Sequence, residues 1–138
     1  MHYVYDATVL TTHTASNHLE IPIKLAAGII KHISIIFPPG CVRLVSCTIW
    51  NPAIQLLPTN PEAVYREDNY VVEADCYYPT WIYGNSFTIL AWNTGTTRSH
   101  TLHVMLDVQG VDEPDFNSSM KTLNNVIDTL VSLIKGWF

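Results

Sequence analysis

The residue types best suited to chemistry in this chain are six histidines and three cysteines, and their spacing predicts no shared site. His100 and His103 stand three residues apart in a segment predicted to be a β-strand. Because successive side chains on a strand point to opposite faces, these two imidazoles cannot bind one metal ion without a bulge. Cys76 has no histidine close to it in the sequence. No phosphate-binding glycine loop, nucleophile elbow or His-Glu-x-x-His motif occurs. The sequence therefore predicts no catalytic residue, no metal ligand and no cofactor.

A second group of residues is suited to recognition. Residues 76–85 look like a loop that carries four aromatic side chains: Tyr77, Tyr78, Trp81 and Tyr83. Tyrosine and tryptophan on loops provide flat, rigid surfaces for contact with sugars or with proteins. Three interpretations stay open: the four side chains cover the end of a core, contact a protein partner, or bind a glycan.

The segments that would position these residues are short β-strands. From Val4 to about Gln109, apolar runs alternate with Pro, Gly and Asn turns, and no helical pattern intervenes. The strand candidates are Tyr3–Leu10, Leu19–Leu25, Ile29–Phe37, Val42–Trp50, Ala53–Leu57, Asn69–Ala74, Ser86–Trp92 and Ser99–Val108. Pro22 marks the second candidate as an edge strand or a bulge. Residues 1–109 are thus expected to form one all-β domain, a jelly-roll-like β-sandwich of about eight strands, and an immunoglobulin-like sandwich fits nearly as well.

The period of the sequence changes near the C-terminal end. Residues 110–117 are acidic and contain a proline, which predicts a linker. Residues 118–138 predict an amphipathic α-helix, because their apolar residues recur every three or four positions. Six of them fill the a and d positions of a heptad: Met120, Leu123, Ile127, Leu130, Ile134 and Trp137. Val126 and Leu133 widen this apolar face.

An apolar helix face must be buried against another surface, and four such surfaces are possible. The helix packs on its own sandwich, joins equivalent helices of other copies, docks in a groove of another protein, or lies on a membrane surface. For self-association, a trimer is favoured. The membrane is the weakest alternative, because the polar face holds only two lysines and one aspartate, whereas membrane-surface helices are rich in Lys and Arg.

Composition narrows the class of protein. With 138 residues, 48% hydrophobic and 14% charged, the chain is expected to form one domain with some apolar surface covered by other chains. The net charge of −5 and the scattered basic residues argue against a nucleic-acid partner. The N-terminal residues show no basic segment followed by an apolar run, so no signal peptide is expected. No apolar stretch approaches the ~20 residues that span a bilayer.

Four short motifs lie between Ala27 and Val108: Phe37-Pro38-Pro39-Gly40-Cys41, Gln55-Leu56-Leu57-Pro58-Thr59-Asn60-Pro61, Asp68-Asn69-Tyr70, and Trp92-Asn93 followed by Ser99-His100-Thr101. In these motifs the chain resembles small β-sandwich proteins, virion-associated or uncharacterised, of bacterial and archaeal viruses and prophages. The resemblance implies a location in the virion after synthesis in the host cytoplasm. It also implies partners among other virion proteins.

Together these observations favour a non-enzymatic structural protein of a virus particle, with a homo-oligomer held by the C-terminal helix. The expected role is capsid decoration, a minor capsid protein or a small jelly-roll capsid component. One alternative is a carbohydrate-binding module that uses the aromatic residues at positions 77–83. Another is a small enzyme of the cupin type, although cupins carry paired histidines two apart and a downstream Glu, a pattern that this sequence lacks.

Overall fold

The chain folds into eight strands followed by a long helix. The computed structural model describes residues 1–111 and 114–136, and the side chains of residues 1–111 and 120–136. In chain order the elements are β1 (His2–Val9), β2 (Leu19–Lys24), β3 (Gly28–Phe37), β4 (Val45–Trp50), β5 (Gln55–Leu57), β6 (Tyr70–Pro79), α1 (Thr80–Tyr83), β7 (Ser86–Asn93), β8 (His100–Gly110) and α2 (Pro114–Lys135).

The strands form two four-stranded sheets, one ordered β1-β8-β3-β6 and the other β2-β7-β4-β5. All of the neighbouring strands pair antiparallel. The chain crosses repeatedly between the sheets, and its first strand lies beside its last, which is the strand order of a jelly roll built from two Greek keys. The predicted all-β sandwich with a C-terminal helix is confirmed, and it is a jelly roll rather than an immunoglobulin-like sandwich. Pro22 lies on β2, which is an edge strand as predicted.

The core lies between the inner faces of the two sheets. In β3, alternate residues point inward, and Ile33, Ile35 and Phe37 are each 1% exposed. The same alternation buries three residues of β7: Phe87, Ile89 and Ala91. Among the described residues, the buried cluster contains strand and loop side chains but none from α2. The sandwich therefore has an apolar core to which no described side chain of α2 contributes.

Two strands begin two or more residues later than the sequence predicted. β4 begins at Val45 and not at Val42, because Val42 and Arg43 have φ values of 48° and 61°. This left-handed conformation is incompatible with an extended strand and is unusual for a β-branched residue. β5 begins at Gln55 and not at Ala53.

The C-terminal helix begins earlier than predicted. Because α2 starts at Pro114, residues 114–117, which were assigned to the linker, are helical. The physical reason is that proline is favoured in the first turn of a helix, where its missing N–H costs no hydrogen bond. The predicted Trp137 lies outside the described residues. Side chains from Lys121 to Gly136 are exposed throughout, and α2 meets the sandwich at β8.

Candidate functional site

The predicted a and d positions of α2 form an exposed apolar stripe. We call the five described members the helix seam: Met120, Leu123, Ile127, Leu130 and Ile134. Met120 is half-buried, whereas the other four are 47–53% exposed. The sandwich of the same chain therefore leaves most of the seam uncovered.

The apolar face is wider than the seam itself. Val126, Val131 and Leu133 occupy neighbouring e and g positions and are 42–56% exposed. Between Met120 and Ile134, no e or g position carries a charge. Asn124 occupies an e position beside the seam, and the other polar residues lie on the opposite face: Lys121, Thr122, Asn125, Asp128, Thr129, Ser132 and Lys135. Because charges at e and g positions normally select the partner of a coiled coil, this face lacks the usual means of selecting a partner by charge.

The energy available from this face is substantial. Full burial of a Leu, Ile or Val side chain is worth about 1.5–3 kcal/mol, so a half-exposed one still offers about 1 kcal/mol. The four exposed seam residues and their three apolar neighbours together offer about 7 kcal/mol per helix, before the cost of ordering side chains.

In the part of the chain that the structure describes, no helix is long and apolar enough to cross a bilayer.

The aromatic segment is not the loop that the sequence predicted. Tyr77 and Tyr78 belong to β6, which continues past its predicted end, and Trp81 and Tyr83 lie on α1. Tyr78 and Tyr83 pack edge to face with ring centroids 5.1 Å apart, and both pack against the core. Tyr77 and Trp81 are 53% and 51% exposed, and Lys31 Nζ lies 5.0 Å from the Tyr77 ring centroid. Two of the four aromatics thus support the core, and glycan binding by the rest stays a prediction.

The cysteines are not activated nucleophiles. Burial raises the pKa of Cys47 to about 12. Burial also raises the pKa of Cys76 to about 11, the Asp75 carboxylate adds to the rise and Lys31 opposes it. The pKa of Cys41 is raised by burial as well. Since a nucleophilic cysteine needs a lowered pKa, these thiols stay protonated at neutral pH and act as small apolar groups.

Three histidine–aspartate pairs are the main feature that the sequence did not predict. Each joins an imidazole Nδ1 to a carboxylate Oδ1: His2–Asp107, His32–Asp75 (2.7 Å) and His103–Asp6 (2.5 Å). All three lie on the outer face of the β1-β8-β3-β6 sheet. The outward positions of these residues are visible in the sequence, but their pairing depends on the strand order. Among the described residues, no group of three His, Cys, Asp or Glu side chains is placed to hold a metal ion.

Comparison with known proteins adds no family. No protein-family model and no curated protein matches the chain. Solved structures do resemble it at low identity. The Yersinia pseudotuberculosis-derived mitogen is 11% identical with a TM-score of 0.44, over 83% of this chain and 91% of the mitogen.

Two proteins with viral names also resemble the chain. The infectious bursal disease virus VP2 subviral particle is 11% identical with a TM-score of 0.40, over 83% of this chain and 35% of VP2. The STIV MCP is 13% identical with a TM-score of 0.42, over 86% of this chain and 51% of the MCP. At these values the likeness concerns the β-sandwich alone, and the jelly-roll assignment depends on the strand order of this chain.

Proposed function

We propose that the chain is a structural subunit of a virus particle that assembles through the exposed face of α2. Its role is capsid decoration, a minor capsid protein or a small jelly-roll capsid component, located in the virion. One observation carries the proposal: a sandwich with its own apolar core bears a helix whose apolar face is uncovered. Exposed apolar surface of this extent is unfavourable in water and is typical of a contact with another chain.

The surface most complementary to this face is the same helix in other copies of the chain. A heptad pattern is complementary to itself, because the side chains of each helix fill the gaps between those of its neighbour. The absence of charge at the e and g positions between Met120 and Ile134 removes the usual means of selecting a different helix. The additional apolar row formed by Val126 and Leu133 favours a bundle of three over a pair, since it lies beside the seam.

The properties of the sandwich favour a capsid role over the other common roles of jelly rolls. Jelly rolls occur in viral capsids, lectins and cupins. Among the described residues, the buried side chains are apolar or uncharged polar groups, and none is a histidine or a carboxylate. A recognition platform of four aromatics is also weakened, because Tyr78 and Tyr83 pack inward. An assembly subunit needs a stable shape and an association surface, which this chain combines, and the sequence resemblance implies the same class.

Removal of the helix tests its role in assembly. A chain that ends at Gly110 should remain folded and become monomeric, while the full chain forms an oligomer. Far-UV circular dichroism during heating reports the fold, and sedimentation equilibrium reports the mass. If the shortened chain unfolds at a much lower temperature while the full chain is already monomeric, the helix packs on its own sandwich and the proposal is wrong.

Composition of the particle tests the virion role. Mass spectrometry of purified particles from the source of this sequence should detect the chain in a fixed ratio to other particle proteins. Density-gradient fractions should show the chain and the particle in the same fractions. A chain found only in the soluble fraction would contradict the role.

A further inference from the structure

Four of the paired residues form one row across the outer face of the β1-β8-β3-β6 sheet. His2 is in register with Asp107, Asp107 with His32, and His32 with Asp75. The row therefore reads His, Asp, His, Asp across the four strands, and we call it the charge row. With strands about 4.8 Å apart, it is about 14 Å long.

A β-bulge places His32 in the charge row. The register of β3 shifts between Ile30 and His32 against both of its neighbours, with Lys31 in between. In an uninterrupted strand Ile30 and His32 would point to the same face, because side chains alternate. Here Ile30 is fully buried in the core, whereas His32 reaches Asp75 on the outer face. Bulges that re-aim a side chain in this way are features that proteins retain for a purpose.

We propose that this sheet face, centred on the charge row, is a contact between two copies of the chain related by a two-fold axis parallel to the strands. Rotation by 180° about that axis reverses the order of the strands across the sheet. His2 then faces Asp75 of the second copy, and Asp107 faces its His32. Each imidazole of the row meets a carboxylate, so the row is complementary to itself and the occupant is a second copy.

The surroundings of the row support a contact of limited extent. Val4, which is 57% exposed, and half-buried Met105 are in register beside the row and add apolar surface. The other neighbouring charges are the ammonium of Met1, which donates to the Val108 carbonyl oxygen, Lys31 at the bulge and Glu73 on β6, an edge strand. The rotation brings Glu73 opposite Val4, at the margin of the contact. Facing sheets cross at about 30°, so the strands of the two copies diverge away from the row.

The orientation of the axis agrees with association through α2. A two-fold axis parallel to the strands keeps the helix-bearing ends of both sandwiches on the same side. The charge row lies at that end, because Asp107 is near Gly110, where β8 finishes. If helices form a three-fold bundle, two-fold sheet contacts would link one bundle to the next and extend the assembly. The sheet contact does not depend on the helix contact, and the two can be tested separately.

Exchange of charges within the row provides the decisive variants of the full chain. The half swap, His32→Asp with Asp75→His, keeps the composition, the net charge and a pair within the chain. It changes the row to His, Asp, Asp, His, so the rotation sets like residues against each other. The full swap adds His2→Asp and Asp107→His and restores complementarity. The matched control exchanges the third pair, Asp6→His with His103→Asp, which lies outside the row.

Sedimentation velocity at about pH 6 measures the association. The wild-type chain should form species larger than the helix oligomer, and more of them in about 50 mM than in about 500 mM NaCl. The half swap should lower this association constant by about tenfold or more, the full swap should restore it, and the control should leave it unchanged. A half swap that associates like the wild type, a full swap that does not recover, or a wild type without salt-sensitive association would overturn the proposal.

Further variants keep the two proposed contacts distinguishable. If circular dichroism shows the half swap unfolded, Asp75→Asn with Asp107→Asn removes both carboxylates of the row without placing like charges together. This variant should also lose the salt-sensitive association, and an unchanged association constant would overturn the sheet contact. A variant with polar residues in the helix seam separates the two contacts. If this variant still associates in a salt-sensitive way, and adding the half swap abolishes that association, the sheet contact is supported. Complete loss of pairing in that background at every concentration would contradict an independent sheet contact.

Discussion

Polar substitution of the helix seam should dissociate the protein without unfolding it. The variant carries Leu123→Gln, Ile127→Gln and Leu130→Gln, and glutamine is a good helix former that keeps α2 helical. The three original side chains are 47–53% exposed in the single chain. Association can bury that exposed half, which is worth about 1 kcal/mol for each side chain.

The expected loss of association free energy is large because every copy in the oligomer loses the same apolar burial. Loss of about 3 kcal/mol per copy amounts to about 9 kcal/mol for a trimer. At about 1.4 kcal/mol per factor of ten, the association constant of the trimer falls by about six orders of magnitude. The free energy of unfolding of the sandwich should change by less than about 0.5 kcal/mol, since these residues lie outside its core.

Sedimentation equilibrium and thermal melting test both parts of this expectation. A matched control places glutamine on the opposite face, with Asn125→Gln, Thr129→Gln and Ser132→Gln, and should retain the oligomer. The reasoning is refuted if the seam variant keeps the mass of the wild type. It is also refuted if the wild type is monomeric and the seam variant melts at a clearly lower temperature, because the seam would then pack on its own sandwich.

Three further predictions concern the sandwich. Gly28→Ala should destabilise it by about 2 kcal/mol or more in urea unfolding, because an added Cβ would lie 2.3 Å from the backbone oxygen of Gln109. Burial raises the pKa of Cys47 from 9.0 to about 12, so the folded state holds this proton more tightly. The resulting stability should be complete below about pH 9 and decline as the pH rises toward 12, as urea unfolding across that range will show. Asp68→Ala should loosen the loop that contains Val42, whose N–H donates to Asp68 Oδ1 at 3.1 Å, and trypsin cleavage in that loop should become faster.

Each of these predictions has a control. Gly136→Ala introduces a Cβ 3.4 Å from the Leu133 backbone oxygen, its nearest described neighbour, and should not destabilise the protein. Cys47→Ala should reduce the decline of stability with pH above pH 9, and an unchanged slope would contradict the role of the thiol. Glu67→Ala should leave trypsin cleavage after Arg43 unchanged, so equal acceleration by both carboxylate variants would contradict the specific role of Asp68.

The strand count and the core were predictable because they depend on local patterns. Alternation in β3 and β7 identifies the inward residues, and Pro22 indicates an edge strand or a bulge, of which the structure shows the edge strand. The left-handed conformation of Val42 was not predictable, because a β-branched residue normally favours a strand. Asp68, distant in the sequence, accepts the Val42 N–H and thereby helps to hold that loop.

The candidate sites likewise divide into one that a local sequence pattern predicts and others that depend on the arrangement of the strands. The apolar face of α2 follows from its own spacing, and its described members other than Met120 are exposed. Its contact with another chain stays a prediction. The charge row depends on which strands are neighbours and on the bulge before His32, neither of which a local pattern contains. The inward packing of Tyr78 and Tyr83 depends on where β6 ends, and the sequence predicted that end too early.

The pairing of β1 with β8 determines when the chain can finish folding. The two strands are in register from His2 opposite Asp107 to Val9 opposite His100. While a ribosome is still making the middle of the chain, β1 has no neighbour, and this late, long-range closure is expected to be slow. α2 is made after β8, so its apolar face leaves the ribosome only when every strand of the sandwich is available. The order of synthesis thus delays the proposed association through α2 until each sandwich can fold.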